Sequence, residues 1–247
     1  IREAGVVVSG SLTPQRTQEF YQTVVDAGVD MFVIRGTTVS AEHVSSTQEP
    51  LDLKQFIYEL DVPVIVGGAA GYTPALHLMR TGAAGVLVGF GGGASTTTRR
   101  AMGIRVPMAT AISDIAEARR DYMDESGGRY VHVIADGGVS TSGEVVKAIA
   151  MGADAVVLGA ALARATDAPG GGWHWGLEAV HPELPRGHRT HVGQVAPLEE
   201  VLWGPGRHAD GTSNLMGGLK RAMATCGYTE LKDFQKVEVL VTPTQTV

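Results

Sequence analysis

Val133-Ile134-Ala135-Asp136-Gly137-Gly138 matches Val64-Ile65-Val66-Gly67-Gly68, with the paired glycines standing 70 positions apart in a chain of 247 residues. The same offset relates Thr81-Gly82-Ala83-Ala84-Gly85-Val86-Leu87-Val88-Gly89 to Met151-Gly152-Ala153-Asp154-Ala155-Val156-Val157-Leu158-Gly159. A third, partial copy is Ala27-Gly28-Val29-Asp30-Met31-Phe32-Val33-Ile34. Each copy carries a short apolar run with no polar face, the pattern of a strand buried on both sides of a parallel sheet. Repeated strand–helix units of this kind predict a (β/α)8 TIM barrel.

Working outward, strands are expected at Val6–Val8, Met31–Ile34, Val62–Val66, Val86–Val88, Val131–Ala135 and Ala155–Leu158, with a seventh at Pro107–Ala111. Amphipathic helices fit Pro14–Ala27, Thr73–Thr81, Ile112–Glu125 and Ser142–Met151, each entered near Ser, Thr or Pro. A closed barrel needs eight strands, so the chain reads as one lacking its first two. Residues 1–165 supply about six βα units. Residues 166–213, rich in Pro, Gly and His, read as a flap or active-site loop region, and 214–247 as a C-terminal helix (Asn214–Thr225) and strand (Val237–Val241).

Composition narrows the function classes. Lys and Arg number 20 against 26 Asp and Glu, a formal charge of -6, which disfavours nucleic-acid binding through phosphate neutralisation. A mean hydropathy of +0.06 and the lack of a long apolar run predict a soluble, cytoplasmic protein with no membrane contact. One cysteine, Cys226, excludes an internal disulfide; beside apolar residues at a helix end it reads as packed and unreactive. No metal site is expected, because His174, His181, His188 and His191 fit no standard ligand spacing and read as solvated loop residues.

The chemistry-bearing candidates sit where strands end. Gly89-Phe90-Gly91-Gly92-Gly93-Ala94-Ser95-Thr96-Thr97-Thr98-Arg99 places four glycines in five positions after a strand, a sequence suited to laying backbone against a ligand. Asp136-Gly137-Gly138 ends another strand and offers a carboxylate for sugar hydroxyls, and Gly159-Ala160-Ala161 ends the next, where barrels often hold phosphate. Thr96-Thr97-Thr98 with Arg99-Arg100 either grips a substrate or caps the following helix. Trp173 and Trp175 either present faces to a base or pin the loop to the rim.

With these turns and the tail Gly217-Gly218-Leu219-Lys220-Arg221-Ala222-Met223-Ala224-Thr225-Cys226-Gly227, the chain resembles the IMP dehydrogenase/GMP reductase family over nearly its full length. Glu59–Val64, His77–Gly82 and Leu231–Gln235 most resemble the family's dehydrogenase-like actinobacterial paralogues. The resemblance implies a purine mononucleotide as partner, IMP, GMP or XMP. Asp136 would take its ribose, while Gly91, Gly93, Gly137, Gly138, Gly159, Ala160 and Gly176 would line the rest of the substrate site. It implies NAD or NADP near Arg35, Gly67 and Gly68, leaves room for a monovalent cation in the Gly91–Thr96 loop, and implies a homo-oligomer, tetrameric or larger.

The family's loop Gly-x-Gly-Pro-Gly-Ser-x-Cys-Thr-Thr-Arg falls on Gly89–Arg99 and sets Thr96 where the catalytic cysteine belongs. A hydroxyl is a far weaker nucleophile than a thiol at neutral pH, so turnover by the family's covalent route is not expected. The family's Val-Ile-Asp strand end reads Val33-Ile34-Arg35 and its Ala-Gly-Asn turn reads Val66-Gly67-Gly68. A reductase-like pairing of Thr98 with Glu183 is the alternative by which the chain would be an active oxidoreductase.

Overall fold

The computed structural model describes residues 1–36, 39–41, 49–176 and 188–240. Along the chain run β1 (Ser9–Leu12), α1 (Pro14–Asp26), β2 (Met31–Arg35), α2 (Leu53–Glu59), β3 (Val64–Ala69), α3 (Tyr72–Arg80), β4 (Gly85–Val88), α4 (Thr98–Ala101) and α5 (Met108–Glu125). Then follow β5 (His132–Asp136), α6 (Ser142–Ala150), β6 (Ala155–Val157), α7 (Ala160–Ala163), β7 (Trp173–Trp175), β8 (Arg189–His191), α8 (Leu198–Trp203), α9 (Leu215–Thr225) and α10 (Leu231–Phe234).

β1 to β6 form one parallel sheet in sequential order, with helices in the connections between its strands. Every residue of β3 and β4 is buried, which is why their sequences carry no alternation. The outer core joins Phe32, Ile34, Val64, Val66, Val86 and Val133 to Leu78, Met79, Ile112 and Ile115. The sheet is curled. Arg35 at the end of β2 touches Asp136 at the end of β5 within 2.6 Å, whereas three strand spacings in a flat sheet span roughly 14 Å with side chains standing parallel.

Three strand assignments are corrected. The first strand is Ser9–Leu12, not Val6–Val8; Val6 and Val7 are exposed, and the strand's small Gly10 lets Val24 of α1 lie where a Cβ would stand. Pro107–Ala111 is not a strand. Pro107 sits at the N-cap of α5, whose buried stripe already begins at Ala111 and Ile112. Residues 237–240 form no strand, and Val239 and Leu240 are exposed without a sheet neighbour; Val241 lies outside the described residues.

Among the described residues of the 166–213 region, β7 and β8 pair antiparallel and α8 follows, so these parts carry regular structure that the composition does not signal. Cys226 is exposed at the end of α9 rather than packed. No helix among the described residues is long and apolar enough to cross a membrane.

At the sheet's N-terminal end, Asp154 is a structural hub. It accepts from Arg119 Nη1 at 2.8 Å, Tyr130 Oη at 2.6 Å, the Val133 amide at 2.9 Å and Gln235 Nε2 at 3.2 Å, and from Lys232. Burial pushes its carboxyl up, but the hydrogen bonds from Lys232, Tyr130 and Val133 together with the Arg119 charge outweigh that and hold the pKa at about 2. The cluster ties α5 and α10 to β6.

Candidate functional site

The C-terminal ends of β2 to β6 bring together Arg35, Gly67-Gly68, the glycine-rich loop, Asp136-Gly137-Gly138 and Gly159-Ala160. Two of these turns are pressed backbone to backbone. A Cβ on Gly92 would stand 3.1 Å from the Gly137 carbonyl carbon, and one on Gly138 would stand 3.1 Å from the Gly92 oxygen. Gly137 and Gly138 also hold φ of 121° and 76°, which side chains rarely adopt. Only bare backbone permits this nesting.

The nested segments keep their donors available. Among the described residues, the amides of Gly91, Gly92, Gly93, Gly137 and Gly138 have no protein acceptor. Directly after the turn, Glu144 accepts from the Ser140 and Thr141 amides at 2.7 and 3.0 Å, while Thr141 caps α6, so the turn is braced from its C-terminal side.

Asp136 is 5% exposed and is gripped by Arg35, Nε to Oδ2 at 2.6 Å and Nη2 to Oδ1 at 2.5 Å. Burial drives its carboxyl above the usual carboxylate range, and the Arg35 charge and hydrogen bonds work against that rise. Each oxygen retains a further lone pair, so the pair can still accept a hydroxyl. Arg35 thus faces Asp136. Gly67 and Gly68 lie where Leu87 and Gly89 backbone would meet any Cβ, and the Gly68 amide donates to Gly36 at 3.2 Å.

The sequence did not disclose a second contact across the site. Ser95, fully buried, donates its single hydroxyl proton to the His174 carbonyl at 2.5 Å, so its 2.9 Å contact with Nδ1 is accepted from an Nδ1–H. His174 Nε2 therefore carries the free lone pair. It occupies the place of a side chain at Gly159, 2.7 Å from where a Cβ would stand, and burial lowers the imidazole's pKa. His174 is consequently no solvated loop residue; the β7–β8 hairpin folds it down onto the loop.

Trp173 carries the Arg189 guanidinium over its ring at 4.6 Å and meets His191 edge-on at 5.1 Å within that hairpin, a pinning role. The Gly176 amide donates to the His188 carbonyl at 2.8 Å. Thr96 Oγ1 lies 3.3 Å from Thr98 Oγ1, and Thr98 is buried. Thr97 stands at the N-cap of α4 without a side-chain capping bond. Ala160 begins α7 and is buried. Glu183 and His181 lie outside the described residues. Among the described residues no cluster of His, Cys, Asp or Glu is placed to hold a metal ion.

A larger groove of about 680 Å³, lined by Lys54, Tyr58, Arg80 and Arg129, lies between α2 and the end of α3, away from these strand ends. It contains none of the site residues.

A curled parallel βα sheet with its polar groups and bare turns gathered at the C-terminal strand ends defines a protein of the (β/α)-barrel class. Comparison with known proteins makes this specific. Residues 3–176 match the family model described as IMP dehydrogenase / GMP reductase domain, and the chain belongs to that family.

An uncharacterized oxidoreductase of Mycobacterium tuberculosis is 57% identical over 244 residues, 98% of this chain and 65% of that protein. An inosine-5'-monophosphate dehydrogenase of Methanocaldococcus jannaschii is 30% identical over 92% of this chain and 49% of its own length. The crystal structure of an IMP dehydrogenase/GMP reductase-like protein from Corynebacterium glutamicum superposes with a TM-score of 0.89 at 53% identity, covering 98% of this chain and 63% of that one. The chain thus spans between about half and just under two thirds of the length of these relatives.

Proposed function

We propose that this chain forms most of a purine-mononucleotide site whose redox chemistry has been lost. The observation that carries the reading is the nest of Gly91–Gly93 on Gly137–Gly138, which among the described residues leaves five amides without a protein acceptor beside the Asp136 carboxylate. Convergent backbone donors suit a phosphate, and a carboxylate suits ribose hydroxyls. Gly159, Ala160 and Gly176 complete the lining. Family membership supports IMP, GMP or XMP as the ligand.

The covalent route at purine C2 needs a thiolate. Thr96 stands at the family's cysteine position, and a hydroxyl there raises the barrier by several kcal/mol, each 1.36 kcal/mol being tenfold in rate. Arg35, engaged with Asp136, and Gly67-Gly68, engaged with Gly36, further support loss of NAD or NADP chemistry. The alternative is a working NAD(P)-dependent reductase using Thr98 and Glu183, which the 3.3 Å approach of the Thr96 and Thr98 hydroxyls favours.

In the full-length protein the six strands belong to a closed eight-stranded barrel in a cytoplasmic homo-oligomer, a reading supported by the greater length of the relatives and by a single cysteine. The test is calorimetric titration of the full-length protein with IMP, GMP and XMP, with and without NAD and NADP. Saturable binding of one mononucleotide without cofactor turnover is expected. NAD(P)-dependent conversion that disappears in Thr98→Ala would replace this reading with the reductase.

A further inference from the structure

The β7–β8 pair lowers one titratable ring onto the strand ends that carry the bare turns. Asp136 is in register with Val157 across β5 and β6, so Gly138 and Gly159, each two residues further on, leave adjacent strand ends about 5 Å apart. Among the described residues the amides of both lack a protein acceptor. His174 Nε2 lies over Gly159, 2.7 Å from where a Cβ would stand, a place that any side chain at 159 would fill. The ring is fixed through its other nitrogen. Nδ1–H donates to Ser95 Oγ at 2.9 Å, and that hydroxyl donates to the His174 carbonyl at 2.5 Å. Among the described residues Nε2 meets no donor, so its lone pair is left beside Gly159.

The described residues packed around the ring leave its charge unanswered. Strand alternation sets His174 on the face of Thr190, which donates to the Ala94 carbonyl of the glycine-rich loop at 3.5 Å, whereas Arg189 and His191 lie on the opposite face against Trp173. Gly89 to Thr97 includes no titratable side chain, and neither does α7. Arg164, just past α7, donates to the carbonyls of Val192 at 3.1 Å and Ser140 at 3.4 Å. Asp136 on the neighbouring turn is engaged by Arg35. Burial holds the imidazole below its ordinary value, so the ring is neutral above pH 7 until an anion reaches it.

We infer that His174 takes up a proton as the phosphate of a nucleoside monophosphate enters, and holds the phosphate dianion through the Nε2–H so formed. This rests on the proposed mononucleotide clamp and adds to its neutral amides a cation that exists only in the complex. An imidazolium–phosphate hydrogen bond belongs to the stronger, charge-assisted class. A phosphomonoester gives up its second proton at about pH 6. Above that pH the dianion meets a neutral ring, and one proton comes from solvent. Below it the ligand brings the proton itself, which passes from phosphate oxygen to Nε2. The complex holds the same proton in both cases, so affinity falls with rising pH once both free partners have lost it.

Full-length protein is titrated calorimetrically with IMP, GMP and XMP between pH 5 and pH 8, in pairs of buffers that differ in ionisation heat, which yields the protons taken up per ligand bound. Nearly one proton per mononucleotide is expected at pH 8, falling toward none at pH 5, with affinity dropping by close to tenfold per pH unit above pH 7. His174→Gln keeps a neutral donor of similar reach. It should abolish the uptake, flatten the pH dependence and weaken binding about tenfold at pH 7. Should that variant melt early, NMR of the assigned His174 ring nitrogens in wild type decides the matter at pH 7.5: a neutral ring carrying its proton on Nδ1 in the free protein and an imidazolium in the complex are expected. Binding without proton uptake at pH 8, undiminished uptake in His174→Gln, or a ring that stays neutral in the complex would overturn the inference and leave the clamp standing. Failure of all three mononucleotides to bind saturably would overturn both.

Discussion

Replacing Arg35 with methionine removes the guanidinium that meets both oxygens of Asp136 and keeps most of the side chain's length. Breaking a buried pair from one side costs about 3–5 kcal/mol, because the remaining charge is stranded. Arg35 is 29% exposed, so water reaches one edge of the pair and screening brings the cost below that range, to roughly 2–3 kcal/mol at neutral pH. The pH dependence carries the reasoning. Burial already lifts the Asp136 carboxyl and Arg35 opposes the rise, so without Arg35 the pKa climbs further.

A carboxyl whose pKa in the fold exceeds its unfolded value contributes stability that is fully present below the unfolded value and is lost as pH rises through the folded one. The deficit of Arg35→Met should therefore be small near pH 4 and grow toward pH 8. Urea denaturation across that range reads it out, with Arg35→Met/Asp136→Asn as the control, whose deficit should not grow with pH. A deficit of the same size at every pH, or one below about 0.5 kcal/mol at pH 8, would refute the claim that Asp136 depends on Arg35.

Asp154→Asn should cost about 2 kcal/mol at neutral pH, from a carboxyl held at about 2 against an ordinary 3.8. Because that pKa is lowered, the wild-type advantage is present above pH 4 and disappears as pH falls through 2, which thermal melts across acid pH would register. Gly92→Ala keeps an allowed backbone but sets a Cβ 3.1 Å from the Gly137 backbone, so the two turns must part; about 1–3 kcal/mol of stability and most mononucleotide affinity should go with it. In a Cys226→Ser background, which removes the exposed thiol, Thr96→Cys should be alkylated by iodoacetamide and protected by IMP. Mass spectrometry showing no protection would move Thr96 away from the ligand.

The parts of this structure legible in the sequence are those with local signals. β3 and β4 were readable because burial on both faces leaves uninterrupted apolar runs, and Gly137 and Gly138 because positive φ restricts the residue type. β1 was misplaced since apolar Val6 and Val7 outweigh the small, partly polar Ser9–Leu12, which pairs at a sheet edge under α1. Pro107 preceded a helix, and a proline there favours an N-terminus as readily as a strand end.

The site's cross-links were not legible. Arg35 and Asp136 stand 101 residues apart, and Ser95 and His174 stand 79 apart, so nothing short of the curled sheet and the hairpin brings them together. His174 gave no spacing to distinguish it from its neighbours; the bare Gly159 was the one trace of the ring that packs on it.

Amide hydrogen exchange in the glycine-rich loop and the Asp136 turn, followed by NMR with and without saturating IMP, addresses the central claim most directly. Slowed exchange at Gly91, Gly92, Gly93, Gly137 and Gly138 on adding IMP is the predicted result. Exchange at these five amides that is indifferent to IMP, in protein that otherwise binds it, would contradict the account.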